Sequence, residues 1–229
     1  MGSAIRCHGP FSVRSPLPHL SDAPDLTKRP RGRPRKLPGT EAEGNRRQDL
    51  MRVAARLFRQ RGFEAVTTRD IAAGAGMHSG SPFYHFETKG VLLFAIIQAG
   101  MQAAIASQAG LVHTASGGAQ DKLRALIRHH YEVLLGPDSD FIPVMLYEWR
   151  SLTPSQQDAI TELRKTYEAP WVPVLQSLAQ TGALRADPSV ARLMILGALN
   201  WSVQWFDPQG PANLNALTDQ AMSLFIQKP

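Results

Sequence analysis

Between Thr67 and Leu92 the chain reads TTRDIAAGAGMHSGSPFYHFETKGVL, and its polar side chains are of kinds that bind rather than catalyse. His78, Ser79 and Ser81, set around Gly80, carry small donors and acceptors that suit base edges in a DNA groove. Thr67, Thr68, Arg69, Tyr84, His85 and Lys89 surround them with hydroxyl, guanidinium, imidazole and ammonium groups suited to phosphate oxygens. Two of these have a second reading: His85 as a buried packing residue, Lys89 as an ordinary exposed lysine. The rest of the chain offers no nucleophile-elbow motif, no phosphate-binding glycine loop, no metal-ligand spacing and no acid/base pair, which argues against an enzyme. A single cysteine, Cys7, excludes an intrachain disulfide framework and a cysteine zinc site. His129 and His130 are adjacent, face different directions on a helix and cannot form a two-histidine metal face. No cofactor is implied.

Short helices must position the binding residues. Thr67 and Thr68 are helix-start types with Asp70 in the first turn, and Ile71, Ala72 and Ala75 follow at helical spacing. Gly74 and Gly76 end that helix and allow a sharp turn. A second short helix is expected from about Ser79 to Phe86, giving a helix-turn-helix whose second helix enters the major groove. Upstream, LMRVAARLFRQRGF places Leu50, Val53, Ala54, Leu57 and Phe58 on one helical face, with Arg52, Arg56 and Arg59 elsewhere and Gly62 as the stop. The three helices are expected to share a core of Val53, Leu57, Phe58, Phe63, Ile71, Met77 and Phe86.

The run AARLFRQRGFEAVTTRDIAAGAGMHSGSPFYHFETK resembles the TetR family of bacterial one-component regulators over about fifty residues. Where that family usually carries Leu-Tyr in the recognition helix, this chain has Pro82-Phe83. Pro82 lacks an N–H and is tolerated only near the first turn. Phe83 lacks the hydroxyl that family members aim at a phosphate, so Tyr84 or Ser81 takes that load. The resemblance implies that Lys89 contacts phosphate, and that the next helix links the DNA-binding head to the body.

The net charge of +6 divides unevenly, with +6 in residues 1–47, +2 in 48–98 and −2 in 99–229. Basicity is therefore concentrated where a polyanion would be met. Residues 1–44 are rich in Pro, Ser, Gly and Arg without helical or strand period and read as disordered. Within them KRPRGRPRK, residues 28–36, resembles the AT-hook: prolines keep it extended, Gly32 permits close approach, and Arg31 and Arg33 reach into a narrow minor groove. The alternative is a basic tail that only attracts phosphates. No apolar run approaches the roughly eighteen residues of a membrane span, and no secretory signal is evident, so a cytoplasmic location is expected.

Thr88 reads as the N-cap of a helix over about Lys89–Gln108, followed by a loop over Gly110–Ala119 and a helix from about Gln120 to Leu135. Asp140 is a candidate cap for FIPVMLYEWRSL. Thr153, Pro154 and Gln156 form a capping box that opens a helix to about Gln180, which Pro170 and Pro173 should kink or break. Asp187 and Pro188 start a helix apolar on most faces and hence buried on most sides. The last helix, about Leu214–Ile226, carries Leu214, Leu217, Ala221, Leu224 and Phe225 on one stripe. These two helices hold more apolar surface than one small body can cover, and TetR proteins pair such helices in a homodimer. LYEWRSLTP, YEAPW and LGALNWSVQWFDPQGP resemble a TetR branch that responds to acyl-CoA thioesters. On that reading Tyr147, Trp149, Trp171, Trp201 and Trp205 wall an apolar pocket with Asn200, while Arg128 and Arg150 meet CoA phosphates. The alternative is that these tryptophans are core or dimer packing.

The sequence therefore predicts an all-α protein of about nine helices. Residues 1–44 form the basic tail, 45–98 a three-helix helix-turn-helix DNA-binding domain, and 99–229 a larger helical effector-binding and dimerisation domain. The expected function is that of a homodimeric repressor on a palindromic double-stranded DNA operator, released by a small hydrophobic effector, for which the resemblance points to an acyl-CoA thioester, with no membrane partner. The competing function is an architectural DNA-binding protein without an effector.

Overall fold

Side-chain caps decide where the helices begin. In a computed structural model of the chain, the described residues are 41–77, 82–114, 117–136 and 139–227. The tail with Arg31 and Arg33, and the segment His78–Ser81, lie outside them, as does the side chain of Phe83. Thr67 and Asp70 form a reciprocal capping box at one helix start, and Thr153 and Gln156 form another with Pro154 in the first turn. Thr88 accepts from the Val91 N–H, Asp187 from the Ser189 and Val190 N–H groups, and Asn213 from the Ala216 N–H. Each of these side chains satisfies helix-start donors that would otherwise lack partners.

The elements that follow are α1 (Glu41–Arg61), α2 (Thr68–Gly74), α3 (Pro82–His85), α4 (Lys89–Gln108), α5 (Leu111–Thr114), α6 (Ala119–Leu135), α7 (Phe141–Glu148), α8 (Pro154–Glu168), α9 (Trp171–Gln180), α10 (Pro188–Trp201) and α11 (Leu214–Phe225). Nine of them exceed a single turn, and among the described residues there is no strand. Two 3₁₀ turns, Trp149–Ser151 and Ser202–Gln204, extend α7 and α10.

Several boundaries differ from the sequence expectation. α1 begins at Glu41, inside the segment read as lacking structure; Glu41, Ala42 and Glu43 are good helix formers, and extending a helix costs less than nucleating one. The loop over Gly110–Ala119 contains α5. Asp140 occupies the cap position of α7 without capping it, because its carboxylate accepts from Arg59 of α1 at 3.0 Å. The long helix expected to run to Gln180 is broken between α8 and α9 at Ala169–Pro170, while Pro173 sits in the first turn of α9, where no N–H partner is needed. α4 is long and apolar enough in composition to cross a membrane, contrary to the expectation that no run was, but Leu92, Leu93, Ile96, Ile97, Met101 and Ala104 are buried inside the fold.

The turn after α2 closes as a Schellman motif: the Met77 N–H bonds the Ala72 carbonyl at 2.8 Å, the Gly76 N–H bonds the Ala73 carbonyl at 3.1 Å, and Gly76 takes φ +64. Gly74 has a different reason to be glycine. A Cβ there would stand 2.7 Å from the Val53 side chain, so α2 packs closely on α1.

Two apolar cores result. The first joins Leu50, Ala54 and Phe58 of α1, Ile71 of α2 and Phe86 to Leu92–Ile97 of α4, Val144 of α7, and Ile160 and Tyr167 of α8. The second joins Leu123, Leu126 and Ile127 of α6 to Trp171 and Leu175 of α9, Ile195 and Leu199 of α10 and Leu217 of α11. α10 is not buried on most sides within one chain. It buries Ala191, Ile195, Leu196 and Leu199 against the body and leaves Val190, Leu193, Met194 and Trp201 exposed, because α6 and α9 cover only one of its faces. On α11 Leu217 and Ala221 are buried, but Leu224 points outward.

α4 and α7 meet at Gly100, where a Cβ would lie 2.6 Å from Cβ of Phe141. Gly100→Val should therefore overpack that contact and cost about 1–3 kcal/mol in urea unfolding. Gly44→Ala, in open space on α1, should be neutral or stabilising by up to about 1 kcal/mol.

Candidate nucleic-acid interface and body cavity

In the head, the structure divides the predicted DNA-contact residues into two groups. Arg69 and Tyr84 are exposed, Tyr84 at 72%, with the Tyr84 ring edge-on to His85 at 5.2 Å. His85 is half-buried, as is Thr68. Thr67 is committed elsewhere: its hydroxyl donates to Asp70 Oδ2 at 2.7 Å and accepts from the Asp70 N–H. The Thr67 hydroxyl and the Thr67 N–H, both donating to Asp70 Oδ2, hold the Asp70 carboxyl below the usual carboxylate range.

Lys89 also points inward, away from the phosphate role the resemblance implied. Its ammonium donates to the carbonyls of Phe63 at 2.8 Å and Val66 at 3.1 Å and lies 4.2 Å above the Phe63 ring. Two of its three donors are thus spent on the turn between α1 and α2. The same turn is held from the other side, where the Phe63 N–H donates to Glu148 Oε1 at 2.8 Å. Phe86, just past α3, is buried beneath the Arg47 guanidinium at 4.6 Å.

The body contains a cavity of about 340 Å³. Its walls come from five elements: Met101 and Ala104 of α4, Val133 of α6, Ile142, Met145 and Leu146 of α7 with Trp149 beyond it, Tyr167 of α8, and Leu196 of α10. One end is polar. There His130 Nδ1 lies 3.0 Å from the Tyr167 hydroxyl and His130 Nε2 lies 3.1 Å from Asn200 Oδ1. Burial lowers the His130 pKa to about 4 and raises that of the Tyr167 phenol. A neutral imidazole fits both contacts, donating from Nε2 to Asn200 and accepting at Nδ1 from Tyr167. Arg164, Glu168, Leu193 and Gly197 complete the wall, and Glu168 pairs with Arg192.

Of the predicted effector residues, Trp149 and Asn200 line this cavity. The others lie elsewhere. Trp171 is fully buried in the second core, and Trp201 and Trp205 are 65% and 55% exposed. Tyr147 is exposed and accepts from the Gln204 amide, Arg150 is exposed, and Arg128 is engaged by Glu132 and Asn215. The sequence reading missed His130, Tyr167 and Arg164. A signal for His130 was available: it lies on the apolar stripe of α6 between Ile127 and Leu134, where a polar residue needs a buried partner.

His130 should make stability depend on pH. Its folded pKa lies below its unfolded value, so the unfolded chain binds more protons and stability falls with pH between about 6.5 and 4. The loss attributable to this group should reach about 3 kcal/mol at the acid end. Comparing unfolding midpoints of wild type and His130→Gln across that range checks this, the variant showing the flatter profile.

The comparisons with known proteins match both halves of the chain. Residues 50–96 match the family model for bacterial regulatory proteins of the tetR family, and residues 116–228 match the tetracyclin repressor-like C-terminal domain. The HTH-type transcriptional repressor KstR2 of Rhodococcus jostii is 29% identical over 193 residues, covering 82% of this chain and 92% of that protein. Among solved structures, AibR in complex with isovaleryl coenzyme A and operator DNA is 28% identical, with 79% of this chain and 98% of that chain covered at a TM-score of 0.71. The superantigen PfiT is 34% identical, with 83% and 100% covered at a TM-score of 0.67. With a helix-turn-helix head, an all-helical body and family matches over both, this chain belongs to the TetR family of bacterial transcriptional regulators.

Proposed function

We propose that the protein is a homodimeric repressor that reads a palindromic operator through its helix-turn-helix and is released when a small, mostly apolar effector enters the body cavity. The observation that carries this reading is the cavity itself, an apolar chamber with one hydrogen-bonding end, walled partly by α4 and α7, which also belong to the core under the head. An architectural protein would have no use for such a chamber, and a regulator needs no catalytic group in it.

At about 340 Å³ the cavity is at the small end of ligand sites and takes an acyl group rather than a whole CoA thioester. On this reading the acyl chain lies among Met145, Leu146 and Trp149, its carbonyl faces Asn200, and the nucleotide remains outside past Arg164. AibR, solved with isovaleryl coenzyme A and operator DNA, makes short acyl-CoAs the first class to try. Dimerisation is proposed through the exposed stripe of α10, where Val190, Leu193, Met194 and Trp201 repeat at helical spacing. The dimer would work in the cytoplasm, its two heads reaching major grooves roughly 34–36 Å apart or more. The tail, with Arg31 and Arg33, would add salt-sensitive affinity without setting the sequence read.

A DNA-binding titration tests the reading, using the region upstream of the protein's own gene, with and without isovaleryl-CoA and longer acyl-CoAs. A chain starting at Gly39 keeps α1 whole and removes the tail. The expected result is sequence-specific binding of a dimer that a micromolar thioester weakens by about ten-fold or more, and that the shortened chain retains at lower affinity. Binding indifferent to every thioester would discard the acyl-CoA class. Binding retained only by the tail would discard the repressor.

A further inference from the structure

We infer that the polar end of the cavity is a one-way hydrogen-bond relay, Tyr167 to His130 to Asn200, which offers a donor to the occupant and so selects compounds with a carbonyl or other acceptor oxygen at that end. Asn200 is the specificity-determining residue, and His130 is the residue that positions it. The inference rests on the effector reading above and adds the chemistry of the group that the site selects.

The direction of the relay follows from its last member. His130 Nε2 faces Asn200 Oδ1 at 3.1 Å. A carbonyl oxygen can only accept, so Nε2 carries the proton. Burial keeps the ring neutral, which leaves it a single proton and a bare Nδ1. The Tyr167 hydroxyl, 3.0 Å from Nδ1, must then donate to it. The opposite order would set two lone pairs against each other at the Asn200 contact. Nor is the ring free to turn. It is buried on α6, with its plane at 88° to the Trp171 ring 6.0 Å away and tilted on the Tyr167 ring at 5.8 Å.

Asn200 thus spends its oxygen on His130 and keeps its amide N–H2 for the cavity, whose wall it shares with Leu196 and Gly197 of the same helix. Among the described residues no acceptor takes up that N–H2. The neighbouring groups of the wall are already matched. Glu168 is shared between Arg192 and Arg164, and Tyr167 has given its proton to His130. An occupant with an acceptor oxygen at this end completes the relay. One with a methylene there leaves a desolvated N–H2 unpaired, and an ammonium sets donor against donor.

Two measurements on the full-length protein test this. The first is the tautomer of His130, read from its ring nitrogen shifts by NMR; the expected form has the proton on Nε2. The second is calorimetric titration with isovaleryl-CoA and with isopentyl-CoA, the thioether of the same carbon skeleton without the carbonyl. Wild type should prefer the thioester by about ten-fold or more. Asn200→Leu should abolish the preference by weakening the thioester alone. His130→Leu, which frees the Asn200 amide to turn, should also lose it. His130→Gln, which keeps a donor toward Oδ1, should restore it. A proton on Nδ1, or equal binding of the two ligands by wild type, would overturn the inference. If neither ligand binds, the acyl-CoA reading fails by itself, and the tautomer still decides the direction of the relay.

Discussion

The peptide of Phe63 holds this structure together at its most consequential joint. Its carbonyl accepts from the Lys89 ammonium and its N–H donates to the Glu148 carboxylate, so one turn is clamped by a cation from α4 and an anion from α7. Hydrogen bonds with an ionised partner are roughly twice as strong as neutral ones. They act here where Gly62, at φ +79, lets α1 reverse direction, and where the Phe63 ring packs on Phe58 at 5.3 Å. The buried side chains of Phe63 and Val66 anchor the same turn in the first core.

That joint explains why the head and the body share a core. The buried cluster that includes Leu50 and Phe58 continues without interruption through Leu93 and Ile97 to Val144 and Tyr167. Tyr167 belongs both to this cluster and to the polar end of the cavity, where it meets His130. The cavity is therefore not a pocket appended to the DNA-binding unit. Its walls are the far sides of helices that the head already uses, and packed helices pass displacements on rather than damping them. The cost is concentrated at the polar end, where a histidine must stay neutral to remain buried.

Local chemistry was legible in the sequence. The caps at Thr67, Thr88, Thr153 and Asp187, the stop at Gly62 and the break near Pro170 all lie where residue type alone dictates backbone behaviour. What the sequence concealed was direction over long separations. Asp140 looked like a cap and instead meets Arg59, 81 residues away in the chain; Glu148 meets Phe63, 85 residues away. Lys89 sits at a helix start that favours an exposed reading, yet its flexible stem folds over Phe63. Tryptophans were equally uninformative about the pocket, because Trp149, Trp171 and Trp201 look alike in sequence while one lines the cavity, one is core and one faces outward. Apolar patterning shows that α10 has surface to bury, but not that a single chain covers only one side of it.

In this structure Lys89 works inward, donating to the Phe63 and Val66 carbonyls. The most direct measurement is the salt dependence of operator binding by wild type and Lys89→Met. A phosphate contact contributes about 0.9 to the slope of log affinity against log salt. If Lys89 keeps this inward role on DNA, Lys89→Met binds more weakly at every salt concentration with the slope unchanged, because the head is misaligned rather than stripped of a contact. A slope reduced by about one, with affinity converging on wild type at high salt, would place Lys89 on the DNA backbone and contradict it.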